Sequence, residues 1–72
     1  MQTNFEKEAQ RILDVARTRR SLAWTTDRIS VVADFRSRHW QYDVGTMAAR
    51  HAYGRPADVL PALAQLLQEE ST

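Results

Sequence analysis

Apolar residues recur along the first part of the chain with the period of a helix. Phe5, Ala9, Ile12, Leu13 and Ala16 fall at i, i+4, i+7, i+8 and i+11, which is one face of an α-helix from Thr3 to Arg20. Thr3 and Glu6 have capping-box spacing, and Glu6 and Glu8 put negative charge at the positive end of the helix dipole. Arg17, Arg19 and Arg20 load the other end with the complementary charge. At the far end of the chain Asp58 can cap a second clear helix, with Pro61 in its first turn. There Leu60, Leu63 and Leu67 line up, while Val59 and Leu66 broaden the face. Ser71 and Thr72 are expected to fray.

Between these helices two periods compete. Ser21 to Thr26 reads as a connection, with Leu22 and Trp24 as anchors into the core and Thr25, Thr26 and Asp27 as N-caps. Read from 25 to 42 as a helix, Ile29, Val32, Ala33 and Trp40 share a face that Val31 and Phe35 widen, but Arg36 falls near its centre. As a strand, Ile29, Val31, Ala33 and Phe35 point one way and Ser30, Asp34, Arg36 and Arg38 the other, with Trp40, Tyr42 and Val44 continuing as a second strand. No Gly, Pro or Asn lies between Phe5 and Val44, and tight hairpins draw on residues that accept positive φ. That absence favours the helix. Asp43 would then cap a short third helix through Met47, Ala48, Ala49 and Ala52, ended by Gly54 and by Pro56 two positions later. The expected fold is all-α, a bundle of three to four short helices. The alternative is α+β, with residues 28–44 forming a β-hairpin packed on the N- and C-terminal helices.

Composition narrows the function more than the fold. With 72 residues the chain has room for one domain, 1–72, whose core is small enough for a partner or self-association to matter. A hydrophobic share of 43% supports a globular chain. There is no cysteine, so disulfides and thiolate metal sites are excluded. Glu6, Lys7 and Glu8 stand where a signal peptide would need an apolar run, and no stretch approaches a membrane span, so a cytoplasmic protein with no membrane partner is expected.

The net charge of +1 hides an uneven distribution. Residues 11–38 carry seven arginines against Asp14, Asp27 and Asp34, a surplus of +4, and Lys7 is the chain's one lysine. The guanidinium fork suits carboxylate and phosphate alike; a codon bias toward Arg and Ala would produce the same composition.

Catalytic chemistry finds little support. His39 and Asp43 are four apart but have no nucleophile tied to them, and His39, Asp43 and His51 match no metal-ligand spacing. Gly45 and Gly54 are too isolated for a phosphate-cradling loop. No enzymatic activity, cofactor or metal is expected. A helix-turn-helix over Met47 to Leu66 would place Pro61 inside its reading helix, which has no Arg or Lys for phosphate.

Two functions remain. The favoured one is a small interaction protein, an inhibitor, adaptor or regulator, that binds a protein partner through Arg28, Arg36, Arg38, Trp40 and Tyr42, the residue types that dominate interface energies. Such a partner could itself bind nucleic acid, and a homodimer is compatible with the size. The alternative is a small DNA- or RNA-binding transcriptional regulator that sets the Arg-rich middle segment, with the secondary basic patch Arg17, Arg19 and Arg20, against phosphates.

Overall fold

The chain folds as α-β-β-β-β-α, as seen in a computed structural model that describes residues 4–26 and 28–70. The elements are α1 (Asn4–Arg19), β1 (Trp24–Thr25), β2 (Ser30–Arg36), β3 (His39–Gly45), β4 (Arg50–Tyr53) and α2 (Pro56–Glu70). The four strands form an antiparallel meander in chain order, and both helices pack side by side on one of its faces, α1 over β1 and β2 and α2 over β3 and β4. Capping by Thr3, an N-cap at Asp27 and fraying of Ser71 and Thr72 concern positions outside the described residues.

The all-α expectation is therefore wrong, and the α+β arrangement replaces it. Neither a helix over 25–42 nor one from Asp43 to Gly54 forms. The physical reason lies at Ser37 and Arg38, which take φ of 50° and 67°. Two successive positive φ values make the two-residue turn whose twist matches a hairpin, and here it is built without Gly or Asn. Phe35 and Trp40 close the ladder just inside this turn as a directly paired, edge-tilted aromatic couple, ring centroids 5.2 Å apart.

From that turn the register places Ala33 opposite Tyr42 and Val31 opposite Val44. These four side chains, with Ile29, are buried against Ala9, Ile12, Leu13 and Ala16 of α1 and Val59 and Leu63 of α2. Alternation sends Thr25, Ser30, Val32, Asp34, Arg36, His39, Gln41, Asp43, Arg50 and Ala52 to the opposite face, which no helix covers.

Both helices form where periodicity places them, with different ends. α1 stops at Arg19, and Arg20 and Ser21 follow at φ of 42° and 60°. α2 begins at Pro56, so Asp58 is an acidic residue of the first turn, pairing with Arg55 at 3.1 Å, and Pro61 lies inside the helix, beyond the first turn. Leu22 is 64% exposed, so it does not anchor the connection; Trp24 is half-buried and packs on the core.

The two glycines have unlike roles. A Cβ on Gly45 would lie 2.2 Å from the Ala49 carbonyl oxygen, so the tight β3–β4 turn requires glycine there. At Gly54 a Cβ meets nothing within 4 Å. Gly45→Ala is expected to cost about 2 kcal/mol or more by forcing that turn apart, and Gly54→Ala to stay within about 0.5 kcal/mol of the native protein. Urea unfolding of the two variants checks the contrast.

Candidate functional site

The sheet and α1 bring one end of the molecule together around the β2–β3 turn. Arg17, near the C-terminus of α1, holds its guanidinium 5.0 Å from the centroid of the Trp40 ring. Ser21, just past α1, donates its backbone N–H to the Ala33 carbonyl at 2.8 Å and its hydroxyl to the Asp34 carboxylate at 2.6 Å. Asp34 also pairs with Arg36. Through these contacts the C-terminus of α1 is fixed beside the outer half of β2, and Arg17, Arg19 and Arg20 join Arg36 and Arg38 at the same end. Two groups of arginines, separated in sequence by the whole of β1 and most of β2, come to the same end of the fold, Arg17 on the helix-covered side of the sheet and Arg36 on its open face.

The cluster has little internal compensation. Asp34 is the one acid among the described residues that links its two halves, and it is committed to Ser21 and Arg36. Arg17, Arg19, Arg20 and Arg38 have no carboxylate partner among the described residues, and all four are exposed. Part of the charge at the end of α1 answers the helix dipole. That account does not extend to Arg38, which sits on a hairpin turn.

Aromatic residues run through this end as a ladder. Tyr42 and Trp40, two apart on β3, stack with centroids 6.0 Å apart and planes 13° from parallel, and Phe35 follows across the strand pair. Burial falls along the ladder: Tyr42 is fully enclosed, Trp40 half-buried and Phe35 48% exposed. Beyond the helices' cover, an apolar ring is thus left in water at the end of the fold that carries Arg36 and Arg38.

Backbone strain gathers here as well. Among the described residues the non-glycine positions with positive φ are Arg20, Ser21, Ser37 and Arg38, and every one belongs to this end. Glycine or asparagine would relieve strain of about 1 kcal/mol at each. Arginine at two of them places charge where stability alone selects against a side chain.

The partner-binding set read from the sequence is only partly brought together. Arg36, Arg38 and Trp40 lie in the cluster, joined by the secondary patch Arg17, Arg19 and Arg20. Arg28 lies at the opposite end of β2, roughly 20 Å away at ~3.3 Å per strand residue, where it pairs with Glu70 of α2 at 3.3 Å. Tyr42 is core, and its hydroxyl has no hydrogen-bond partner among the described residues. The alternation reads Phe35 as a core residue; its exposure follows from its place beside the turn. His39 and Asp43 share the open face of the sheet, His51 lies on β4, and no group of three His, Asp or Glu side chains is close enough to hold a metal ion among the described residues. Met47 to Leu66 holds a turn, a strand and the first two-thirds of α2, not a helix-turn-helix. No helix among the described residues is long and apolar enough to cross a membrane.

Compared with protein-family models, curated proteins and solved structures, the chain matches none.

Asp34 ties the cluster to the fold and makes its anchoring pH-dependent. The Ser21 hydroxyl, and then the charge of Arg36, hold its carboxyl below the ordinary aspartate value. Because the folded value is the lower one, the contribution to stability is complete above the unfolded value of about 3.9 and is lost as pH falls through the folded value. Asp34→Asn is expected to lower stability at neutral pH and to flatten its decline below about pH 4. Urea midpoints of both proteins from neutral pH down to pH 2 (about two units below the unfolded value) check this.

Proposed function

We propose that the protein binds nucleic acid, with Arg17, Arg19, Arg20, Arg36 and Arg38 as the phosphate-contacting surface. The observation that carries this reading is the convergence of five arginines, four of them without a carboxylate partner among the described residues, around exposed aromatic surface. Guanidinium groups neutralise phosphates and release condensed counterions, and aromatic rings supply stacking surface for bases. The strained backbone at Arg20 and Arg38 supports it further, since strain kept at charged positions is characteristic of sites under functional demand.

The geometry favours binding without a reading helix. The exposed side of α2 carries Asp58, Gln65 and Glu69, which repel phosphate or are neutral toward it, and that of α1 mixes Glu8 with Arg11 and Asp14. Neither helix offers a basic face to a major groove. Contacts from the turn and the end of α1 would engage the backbone and so depend weakly on sequence.

A partner protein with an acidic surface is the competing occupant. Burial of Tyr42 and the distance of Arg28 leave that reading three of its five residues in one place. A polyanionic backbone needs only the arginines.

Binding of labelled oligonucleotides is expected to weaken steeply with salt. The log–log slope should reach about −3.5 on a single strand, or about −4.5 on a duplex, if all five arginines meet phosphate. Arg38→Gly should separate stability from function: it relieves a positive φ and so raises stability by up to about 1 kcal/mol, yet lowers affinity and takes roughly 0.7 to 0.9 off the slope. Fluorescence anisotropy at several salt concentrations, with urea unfolding alongside, measures both. Absence of binding to any strand at low salt would overturn the proposal.

A further inference from the structure

β3 outruns its neighbour at the basic end. β4 pairs with residues 42–45 only, so His39, Trp40 and Gln41 have β2 on one side and, among the described residues, no strand on the other. Gly54, at the bend into α2, faces the gap. What remains is a hollow of about 300 Å³ lined by Trp40 and Tyr53, by Arg36, His39 and Gln41, and by Gly54.

Its size and lining select a class of ligand. Roughly 300 Å³ is the lower end of the range for small-molecule sites and takes one ring system. Tyr53 and the part of Trp40 that Arg17 and Tyr42 leave free offer aromatic surface, while the Gln41 amide carries both donors and an acceptor and His39 and Arg36 add further polar groups. This is an environment for a flat heteroaromatic ring with a hydrogen-bonding edge. Arg36 links the hollow to the cluster of arginines, so an occupant joined to phosphates would be held at both parts.

Resting on the nucleic-acid reading, we infer that this hollow takes an unpaired nucleobase and that the protein is a binder of single strands. A base within a duplex has its edge paired and its faces stacked, so it enters only if it is first flipped out of the stack. In a single strand the base enters while flanking phosphates meet Arg17, Arg36 and Arg38. DNA and RNA present the same base chemistry to the hollow and differ at the sugar.

Gly54 provides the test. A side chain there meets no neighbour within 4 Å at its Cβ and needs no positive φ, so Gly54→Leu adds bulk at the lining of the hollow without straining the backbone. Gln41→Ala, on an exposed residue, removes a polar contact and no packing. Fluorescence anisotropy is measured with a labelled single-stranded DNA, the RNA of the same sequence and the DNA duplex, each at low salt, with circular dichroism confirming folded variants. The native protein is expected to bind one or both single strands at least about tenfold more tightly than the duplex, a difference of about 1.4 kcal/mol. Both variants should lose most of that preference and keep duplex affinity. Equal affinity for strand and duplex, or undiminished single-strand preference in both variants, overturns this inference and leaves the nucleic-acid reading standing. Absence of binding to all three overturns both.

Discussion

Two consecutive residues with positive φ, Ser37 and Arg38, turn β2 back on itself, and most of the molecule follows from that reversal. The turn sets the register that pairs Phe35 with Trp40 and Ala33 with Tyr42, and this register delivers Val31, Ala33, Tyr42 and Val44 to one face of the sheet. That face is the surface on which α1 and α2 bury Ile12, Leu13, Val59 and Leu63. A slip of one residue would send the same side chains to the open face and leave the helices without a core. The turn also decides where charge accumulates: it carries Arg38 itself, holds Arg36 beside Asp34 and puts Trp40 under Arg17.

The end of the molecule built this way is less stable than its sequence neighbours could make it. Four residues there occupy left-handed backbone conformations that disfavour side chains, at roughly 1 kcal/mol each. Like charges add to the cost: two guanidinium groups 10 Å apart repel by about 0.4 kcal/mol in water, a value that salt reduces further. In a 72-residue domain these amounts are a sizeable share of a small net stability. A bound polyanion would reverse the electrostatic part, converting repulsion among Arg17, Arg19, Arg20, Arg36 and Arg38 into attraction. Stability given up where charge is presented is the pattern expected of a binding surface.

How much of this is legible in the sequence depends on which physical signal carries each element. α1 and α2 announce themselves because their buried positions repeat every three to four residues over several turns. The middle misleads because the usual hairpin residues are missing and a serine and an arginine take their place at positive φ, which no propensity favours. Yet the decisive clue is present: Arg36 intrudes on a helical face and stands freely exposed on a strand, and the alternation from Ile29 to Phe35 agrees. The same alternation puts Tyr42 between Trp40 and Val44 on the covered face, so its burial is readable once the strand is accepted. The two arginine groups are visible separately, but their union depends on how α1 is anchored to β2 by Ser21 and Asp34, a contact between residues thirteen apart. The hollow beside Gly54 is not readable at all, because it exists only through the unequal lengths of β3 and β4.

If the convergence of these arginines and aromatics is the protein's working surface, ligand contact must be confined to one end of the fold. Backbone amide shifts followed by NMR during titration with a single-stranded oligonucleotide test this directly. The account predicts perturbations concentrated in residues 17–21, 35–41 and 53–54, with the β3–β4 turn around Met47 and the last turns of α2 unchanged. Shifts centred on Arg28, Met47 and Glu70, or spread evenly over the chain, would contradict it.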